Sequence, residues 1–264
     1  MKARLLRLQN KCKKFLQSDS CNEPNLKNIR LFLSPRRGSA HFKSDPIAEW
    51  HRNHPRYKFL RRQHGKVLDI GCGDGGLGNY LNWPETLNDL EIYGCDLESK
   101  SKVPSGYTQY LNGGYQEISS LKSFTGITAI HLIEHLPNLQ DFFDFLSTAT
   151  EGTELYLEWP DLASCIFPTT ETIQKNISKG DLIMTSNYFD DDTHLPPRPP
   201  TPKEVQELLE NSGFEIIDSF RFQRKSNEAF VWEMIHSGDR GGVTLAYWEN
   251  FGFARCLIAV RSCS

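Results

Sequence analysis

The stretch Val67-Leu68-Asp69-Ile70-Gly71-Cys72-Gly73-Asp74-Gly75-Gly76-Leu77-Gly78 constrains the fold more than any other part of the chain. An apolar run with strand character enters five glycines at 71, 73, 75, 76 and 78. Glycine permits positive φ and lets backbone approach a ligand closely. A helix starting behind such a turn presents free N–H groups. A second apolar run, 90–95, ends at Asp96, where a carboxylate can accept hydrogen bonds from both hydroxyls of a ribose. Strand, glycine turn, helix, strand and acid together predict a sheet with a nucleoside ligand at the carboxyl ends of its strands.

The same rhythm continues along the chain. Strand-like runs lie at 66–70, 90–95, 107–111, 127–132, 153–159, 214–220 and 254–260. Helical patterns follow at 76–82, at 139–150 with Leu139, Phe142, Phe143 and Leu146 on one face, and at 201–211. The last opens with the capping box Thr201-Pro202-Lys203-Glu204 and has Gly213 close behind its end. This alternation predicts an α/β fold with a doubly wound, seven-stranded, mostly parallel sheet. No βαβ pattern joins the last two strands, so they are expected to pair antiparallel. Residues 161–200 break the rhythm and end in a proline cluster, which predicts a lid-like insertion. The expected organisation is a basic helical extension over 1–65 and one domain over 66–264.

The extension is set apart by charge. Residues 1–66 hold 17 Lys/Arg against four Asp/Glu, a balance of +13; the rest holds 13 against 29, a balance of −16. This asymmetry fits an anionic partner for the first segment, or attraction between the two lobes. Leu5, Leu8, Cys12, Phe15 and Leu16 fall at helical spacing and predict a docking helix rather than a secretory signal. Asp45 and Pro46 mark a further helix start, with Ile47 and Trp50 on it, ending near Pro55; a second helical turn spans 56–64. Seven cysteines, an odd number without a C-x-x-C pair, point to a reducing cytoplasm. No apolar run approaches the roughly 20 residues of a membrane-spanning helix.

Gly71-x-Gly73-x-x-Gly76 alone also fits a dinucleotide. Asp69 and Asp74 shift the weighting, because extra negative charge is unhelpful beside a pyrophosphate. Two carboxylates around this loop suit a ligand with a positive centre, such as a sulfonium carrying an amino group. A nicotinamide-dependent oxidoreductase therefore ranks last. A purely structural role for Asp69, bonding the glycine turn, is compatible with the functional one.

The stretch 67–75 resembles motif I of the class I S-adenosylmethionine-dependent methyltransferases, and Asp96 matches their acid after the second strand. His131-Leu132-Ile133-Glu134-His135-Leu136-Pro137-Asn138 is similar to the EHLPD-like segment of the small-molecule type 11/12 branch, and 194–214 resembles that branch's TPEEL…LLE-aGF helix. The resemblance implies a Rossmann-like methyltransferase fold with S-adenosyl-L-methionine as cofactor. It implies that Asp69, Gly71 and Gly73 cradle the methionine end and that Asp96 with Leu97 holds ribose and adenine. Cys72, Asp74 and Gly75 of the loop, Gly113 after the third strand and His131 complete the cofactor-binding set. Two departures stand out. The stretch Glu98-Ser99-Lys100-Ser101-Lys102-Val103-Pro104 after Asp96 is a poor helix, and Asn112-Gly113-Gly114-Tyr115 lacks the acid that many members place near adenine.

His131, Glu134 and His135 are the ionisable groups nearest in sequence to the expected reaction site. They admit three readings: structural caps of the strand exit, a general base, or ligands of a divalent cation. The third draws on His194, in Asp190-Asp191-Asp192-Thr193-His194, with Glu134, His135 and His194 as ligands. Small-RNA 2′-O-methyltransferases and ubiquinone-pathway O-methyltransferases carry a comparable Glu-x-x-Glu-His set, here with His131 for the first Glu. Imidazole-rich ligation favours zinc, iron or manganese over magnesium. Glu158 and Trp159 reach the same sheet edge, and Tyr188 and Phe189 lie in the insertion over it. The leading expectation is methyl transfer to an O or N of a small molecule or glycan. Alternatives are an RNA 2′-O-methyltransferase, served by the basic extension as a weak nucleic-acid signal, and an inactive cofactor-binding partner subunit.

Overall fold

The computed structural model describes residues 24–35, 52–82, 89–100, 102–195, 197–225 and 228–262. The docking helix over 1–17 and the helix start at Asp45 and Pro46 lie outside the described residues, as does most of the basic segment.

Seven strands form one sheet: β1 (Gly65–Ile70), β2 (Leu90–Asp96), β3 (Tyr107–Asn112), β4 (Gly126–Ile130), β5 (Glu154–Pro160), β6 (Phe214–Arg221) and β7 (Ala254–Arg261). Their order is β3-β2-β1-β4-β5-β7-β6. The first five pair in parallel, for example Asp69 with Gly94 and with Thr128. β7 is reversed: Arg261 N donates to Thr153 O while Asp161 N donates to Phe253 O at the other end. Ser262 N to Gly213 O and Phe222 N to Ala254 O give the same reversal against β6. The mostly parallel sheet with an antiparallel final pair agrees with the pattern of the strands.

Among the described residues the helices are α1 (Leu26–Phe32), α2 (Pro55–Leu60), α3 (Leu139–Leu146), α4 (Thr170–Asn176), α5 (Pro202–Asn211), α6 (Glu228–Ser237) and α7 (Arg240–Phe251). The chain divides into two compact units. One comprises His51–Trp159, Pro202–Phe220 and Cys256–Ser264. Its core joins Leu68, Ile70, Ile127, Leu155, Leu157 and Trp159 of the sheet to Phe142, Phe143 and Leu146 of α3 and Val205 and Leu209 of α5. On β5 the alternation is complete, since Tyr156, between Leu155 and Leu157, meets the Phe59 ring of α2 at 5.5 Å. The other unit comprises the described residues of 24–35 together with those of Pro160–Thr201 and Arg221–Arg255. Ile29 of α1, Phe167, Ile173 of α4, Val243, Tyr247 and Phe251 of α7 and Phe253 form its own core.

Several elements differ from the sequence pattern. Behind the glycines the chain makes a 3-10 helix, Gly76–Asn82, because Gly76 and Gly78 in its first turn oppose an α-helix. β4 ends at Ile130, before His131 and Leu132, because His131 turns to φ 52°. α3 stops at Leu146, four residues early. Two helices, α6 and α7, fill the stretch between β6 and β7 where the sequence pattern marked none, each burying one face: Phe230, Val231, Met234 and Ile235 of α6 and Val243, Ala246, Tyr247 and Phe251 of α7.

Candidate functional site

The glycine loop is shaped by φ values of 71° at Gly71, 49° at Gly73 and 80° at Gly75. These lie in the left-handed region, where a side chain is strained. The glycines serve different neighbours. A Cβ at Gly71 would come 2.9 Å from Leu132 Cδ1, whereas one at Gly73 would meet nothing within 4 Å. Gly73, like Gly76, therefore fronts open space, and of the two only Gly73 adopts a left-handed φ.

Asp96 ties this loop to the end of β2. Its Oδ2 accepts from Gly73 N at 2.8 Å and its Oδ1 from Glu98 N at 2.8 Å. A carboxylate has about four lone-pair sites, so acceptor capacity remains for hydroxyl donors. Leu97 beside it is 81 % exposed. No helix follows among the described residues of 97–106, in keeping with the sequence there. Lys100 Nζ instead bridges Asp74 Oδ1 at 2.8 Å and Glu98 Oε2 at 2.7 Å. Gly113 N donates to Asp96 O at 2.9 Å. A Cβ on Gly113 would lie 2.5 Å from the Glu117 carboxyl carbon.

Asp69 is buried between neighbouring strands. Its Oδ2 accepts from Tyr107 Oη at 2.5 Å and its Oδ1 from Thr128 Oγ1 at 2.7 Å. Burial pushes its carboxyl up to about 6, against the pull of both hydroxyls and of Arg56. Burial also raises the thiols of Cys72 and Cys95, the latter to about 12, so neither serves as a thiolate nucleophile.

At the exit of β4, His131 N donates to Glu158 O at 2.8 Å and extends the ladder to β5. Its ring lies between two carboxylates, with Nδ1 3.0 Å from Glu134 Oε1 and Nε2 3.4 Å from Glu158 Oε1. Burial alone would drive the imidazolium pKa down; the two carboxylates outweigh it and lift it to about 9. Arg56 engages Glu158 through Nε at 2.8 Å and Nη2 at 2.5 Å. The Tyr156 hydroxyl donates to Glu158 Oε2 at 2.7 Å. Burial would raise the Glu158 carboxyl, but Arg56 and His131 hold it well below the usual range. Glu134 Oε2 is buried and has no hydrogen-bond partner.

Sequence reasoning missed Arg56, Tyr107 and Thr128. Arg56 follows the Pro55 that starts α2, and His54 Nδ1 caps its N–H at 3.2 Å. Its partner lies 102 residues away, which no local pattern encodes. His135 is half-buried, and its N–H donates to Leu132 O at 3.0 Å. Trp159 belongs to the core.

In the other unit, His194 stacks on Tyr188 with centroids 4.5 Å apart, and its Nδ1 lies 2.7 Å from Tyr188 O. Asp190 accepts from the N–H groups of Thr170, Ser186 and Asn187 and from the Thr170 hydroxyl, so it organises the 161–200 segment. Asp191 caps Thr193 N at 2.9 Å. Trp248 packs on Phe253 and donates to Thr185 O.

This architecture has known relatives. A family model described as a methyltransferase domain matches residues 41–219. The ubiquinone biosynthesis O-methyltransferase of Rickettsia bellii is 24 % identical over 159 residues, which are 57 % of this chain and 62 % of the relative. The chain thus spans less than two thirds of the length of the curated relatives it matches. Among solved structures, an Archaeoglobus fulgidus SAM-dependent methyltransferase is similar with a TM-score of 0.49 and 19 % identity, over 83 % of this chain and 96 % of that one. The cyclase SpnF is similar with a TM-score of 0.51 and 14 % identity, over 84 % of this chain and 86 % of that one. The SpnF likeness speaks for the fold alone. The family match covers more than half of the chain, including β1 to β5 and the glycine loop; the chain belongs to the methyltransferase-domain family, with the Rossmann-like fold of S-adenosylmethionine-dependent methyltransferases.

Proposed function

We propose that this chain transfers a methyl group from S-adenosylmethionine to an oxygen or nitrogen of a small molecule or glycan. The observation that carries this reading is the open backbone at Gly73, tethered to the Asp96 carboxylate at 2.8 Å. A nucleoside ligand fits there: Asp96 takes the ribose hydroxyls, Leu97 and Gly113 flank the base, and the loop from Gly71 to Gly75 receives the methionine end. Asp69, beneath the loop, supplies negative charge for a cationic ligand. The cofactor, when bound, supplies a methyl group already activated on a sulfonium.

The protein's own task is then to hold the acceptor in line and to manage one proton. His131 suits the second task poorly, since between Glu134 and Glu158 it is already protonated at neutral pH. We assign it to orienting Glu134. Glu134 Oε2, buried and unpartnered, is the better acceptor for a substrate hydroxyl or ammonium proton. His135, on the same turn, is the remaining candidate. The likeness to a ubiquinone biosynthesis O-methyltransferase supports an oxygen acceptor. Glu134→Gln is predicted to lower turnover about a hundredfold, within the range for losing a general base, with cofactor affinity unchanged. Unchanged turnover would remove Glu134 from the chemistry.

A second reading, a divalent cation held through Glu134 and His135, is favoured by the same unpartnered oxygen. Metal analysis of the purified protein, with and without added zinc or manganese, separates the two. A stoichiometric ion lost in Glu134→Gln supports the cation, and a metal-free, active protein excludes it.

A further inference from the structure

The loop glycines do not all clear space for a ligand. A Cβ on Gly94 would lie 2.8 Å from Cδ1 and Cε1 of Tyr107, and one on Gly78 would lie 2.8 Å from Cδ2 and Cε2. A Cβ on Gly75 would come 3.1 Å from Cε2. The three glycines thus leave room for the ring, while Gly75 and Gly78 also admit Pro104 Cβ and Ser105 O of the turn before it, which a Cβ would meet more closely still. Through this space Tyr107, at the start of β3, reaches beneath the loop to Asp69 on β1, with a hydroxyl contact of 2.5 Å. The ring is buried.

We propose that Tyr107 is a positioning residue for the cofactor: its hydroxyl, threaded through the slot left by Gly75, Gly78 and Gly94, holds the Asp69 carboxylate in place as the fixed negative charge beneath the methionine end. The inference rests on the cofactor reading above and extends it to a residue two strands away from Asp69 in the sheet order. Thr128 from β4 fixes the other oxygen at 2.7 Å. Of the charged groups that act on Asp69, Arg56 of α2 favours its ionised form and Asp96 at the end of β2 opposes it. The thiols of Cys72 and Cys95 stay neutral. Burial and Asp69 raise the ionisation of Tyr107 itself far above neutrality, so it remains a donor at every working pH. Asp69 titrates near 6 and the Tyr107 bond holds it down. Cofactor affinity should be full above that value and decline below it. Removing the hydroxyl should move the midpoint upward.

The test uses the full chain and four proteins: wild type, Tyr107→Phe, Asp69→Asn and Gly94→Ala. S-adenosylmethionine affinity is measured by calorimetry from pH 5 to 9. The Asp69 carboxyl is titrated by carbon NMR in the ligand-free protein. The expected result is a Tyr107→Phe midpoint raised by about one to two pH units, the worth of one hydrogen bond to a charged group. Its loss of affinity should be smaller at pH 9 than at pH 6, because Asp69 is ionised at pH 9 in both proteins and only the positioning is lost there. Asp69→Asn should bind weakly with no midpoint, and Gly94→Ala, which closes the slot, should resemble Tyr107→Phe. A merely structural tyrosine would lower affinity evenly at all pH values. An unshifted midpoint in both calorimetry and NMR overturns the inference. Absence of binding in wild type overturns the cofactor reading instead, and the NMR titration still decides whether Tyr107 controls Asp69.

Discussion

Arg56, Glu158, His131 and Glu134 form a line of alternating charge through the buried end of the sheet. Each buried charge is tolerable only because its neighbour is opposite in sign. Arg56→Met should destabilise the fold by roughly 3–5 kcal/mol, since it strands Glu158; denaturant unfolding at pH 7 measures it, and a loss below about 1 kcal/mol would show the pair to be solvated. The folded pKa of Glu158 is depressed, so its contribution is present above the ordinary carboxylate value and lost as pH falls through the folded one. Asp69 has the opposite sign. Its folded pKa of about 6 exceeds its ordinary value, so ionised Asp69 costs stability above pH 6, and that cost is relieved as pH falls toward 4. Asp69→Asn is therefore predicted to stabilise the protein at pH 8 by on the order of 2 kcal/mol while weakening cofactor binding. A lower Tm at pH 8 would show that its two hydrogen bonds outweigh its burial. The placement of Asp69, Asp96, His131 and His135 at or just past strand ends could be read from the sequence, because each lies within a few residues of a glycine turn or the end of an apolar run. Arg56 and Tyr107 could not, because their roles depend on partners brought in by strand order.

At the scale of elements, strands were the most legible. Each of the seven is a short apolar run bounded by turn residues, and their ends agree to within one residue except at β4, which stops two residues early. There His131 adopts a left-handed conformation that the apolar run does not announce. α6 escaped although its buried Phe230, Val231, Met234 and Ile235 fall at helical spacing, because Ala229 and Trp232 make 229–232 a continuous apolar run that blurs the stripe in sequence. α7 starts with two glycines behind Arg240, which propensity counts against a helix. Its end is secured from outside: Arg221 donates to Gly252 O at 2.6 Å and Phe251 O at 2.7 Å, and Gly252 sits at φ 69°. Gly252→Ala forces a side chain into the left-handed region and toward Arg221 Nε, 2.7 Å from the new Cβ. It should cost about 1–2 kcal/mol, read as a lowered denaturation midpoint with an unchanged slope; a neutral result would mean that the cap is dispensable.

At the scale of the whole molecule, two units each carry a core of their own, and the sheet unit contains the glycine loop and the charged line. Among the described residues no helix is long and apolar enough to cross a membrane. The fold by itself leaves the reaction open, since a cyclase shares it at a TM-score of 0.51. What distinguishes one reaction from another on this fold is the site, here Gly73, Asp96, Asp69 and Glu134. The most direct test is calorimetric titration of the full chain with S-adenosylmethionine and, separately, NAD, for wild type and Asp96→Ala. Saturable one-to-one binding of S-adenosylmethionine, no binding of NAD, and at least a tenfold loss in Asp96→Ala are predicted, as expected when hydrogen bonds to a charged acceptor are lost. Failure of the wild type to bind S-adenosylmethionine, or an affinity indifferent to Asp96, would contradict the account.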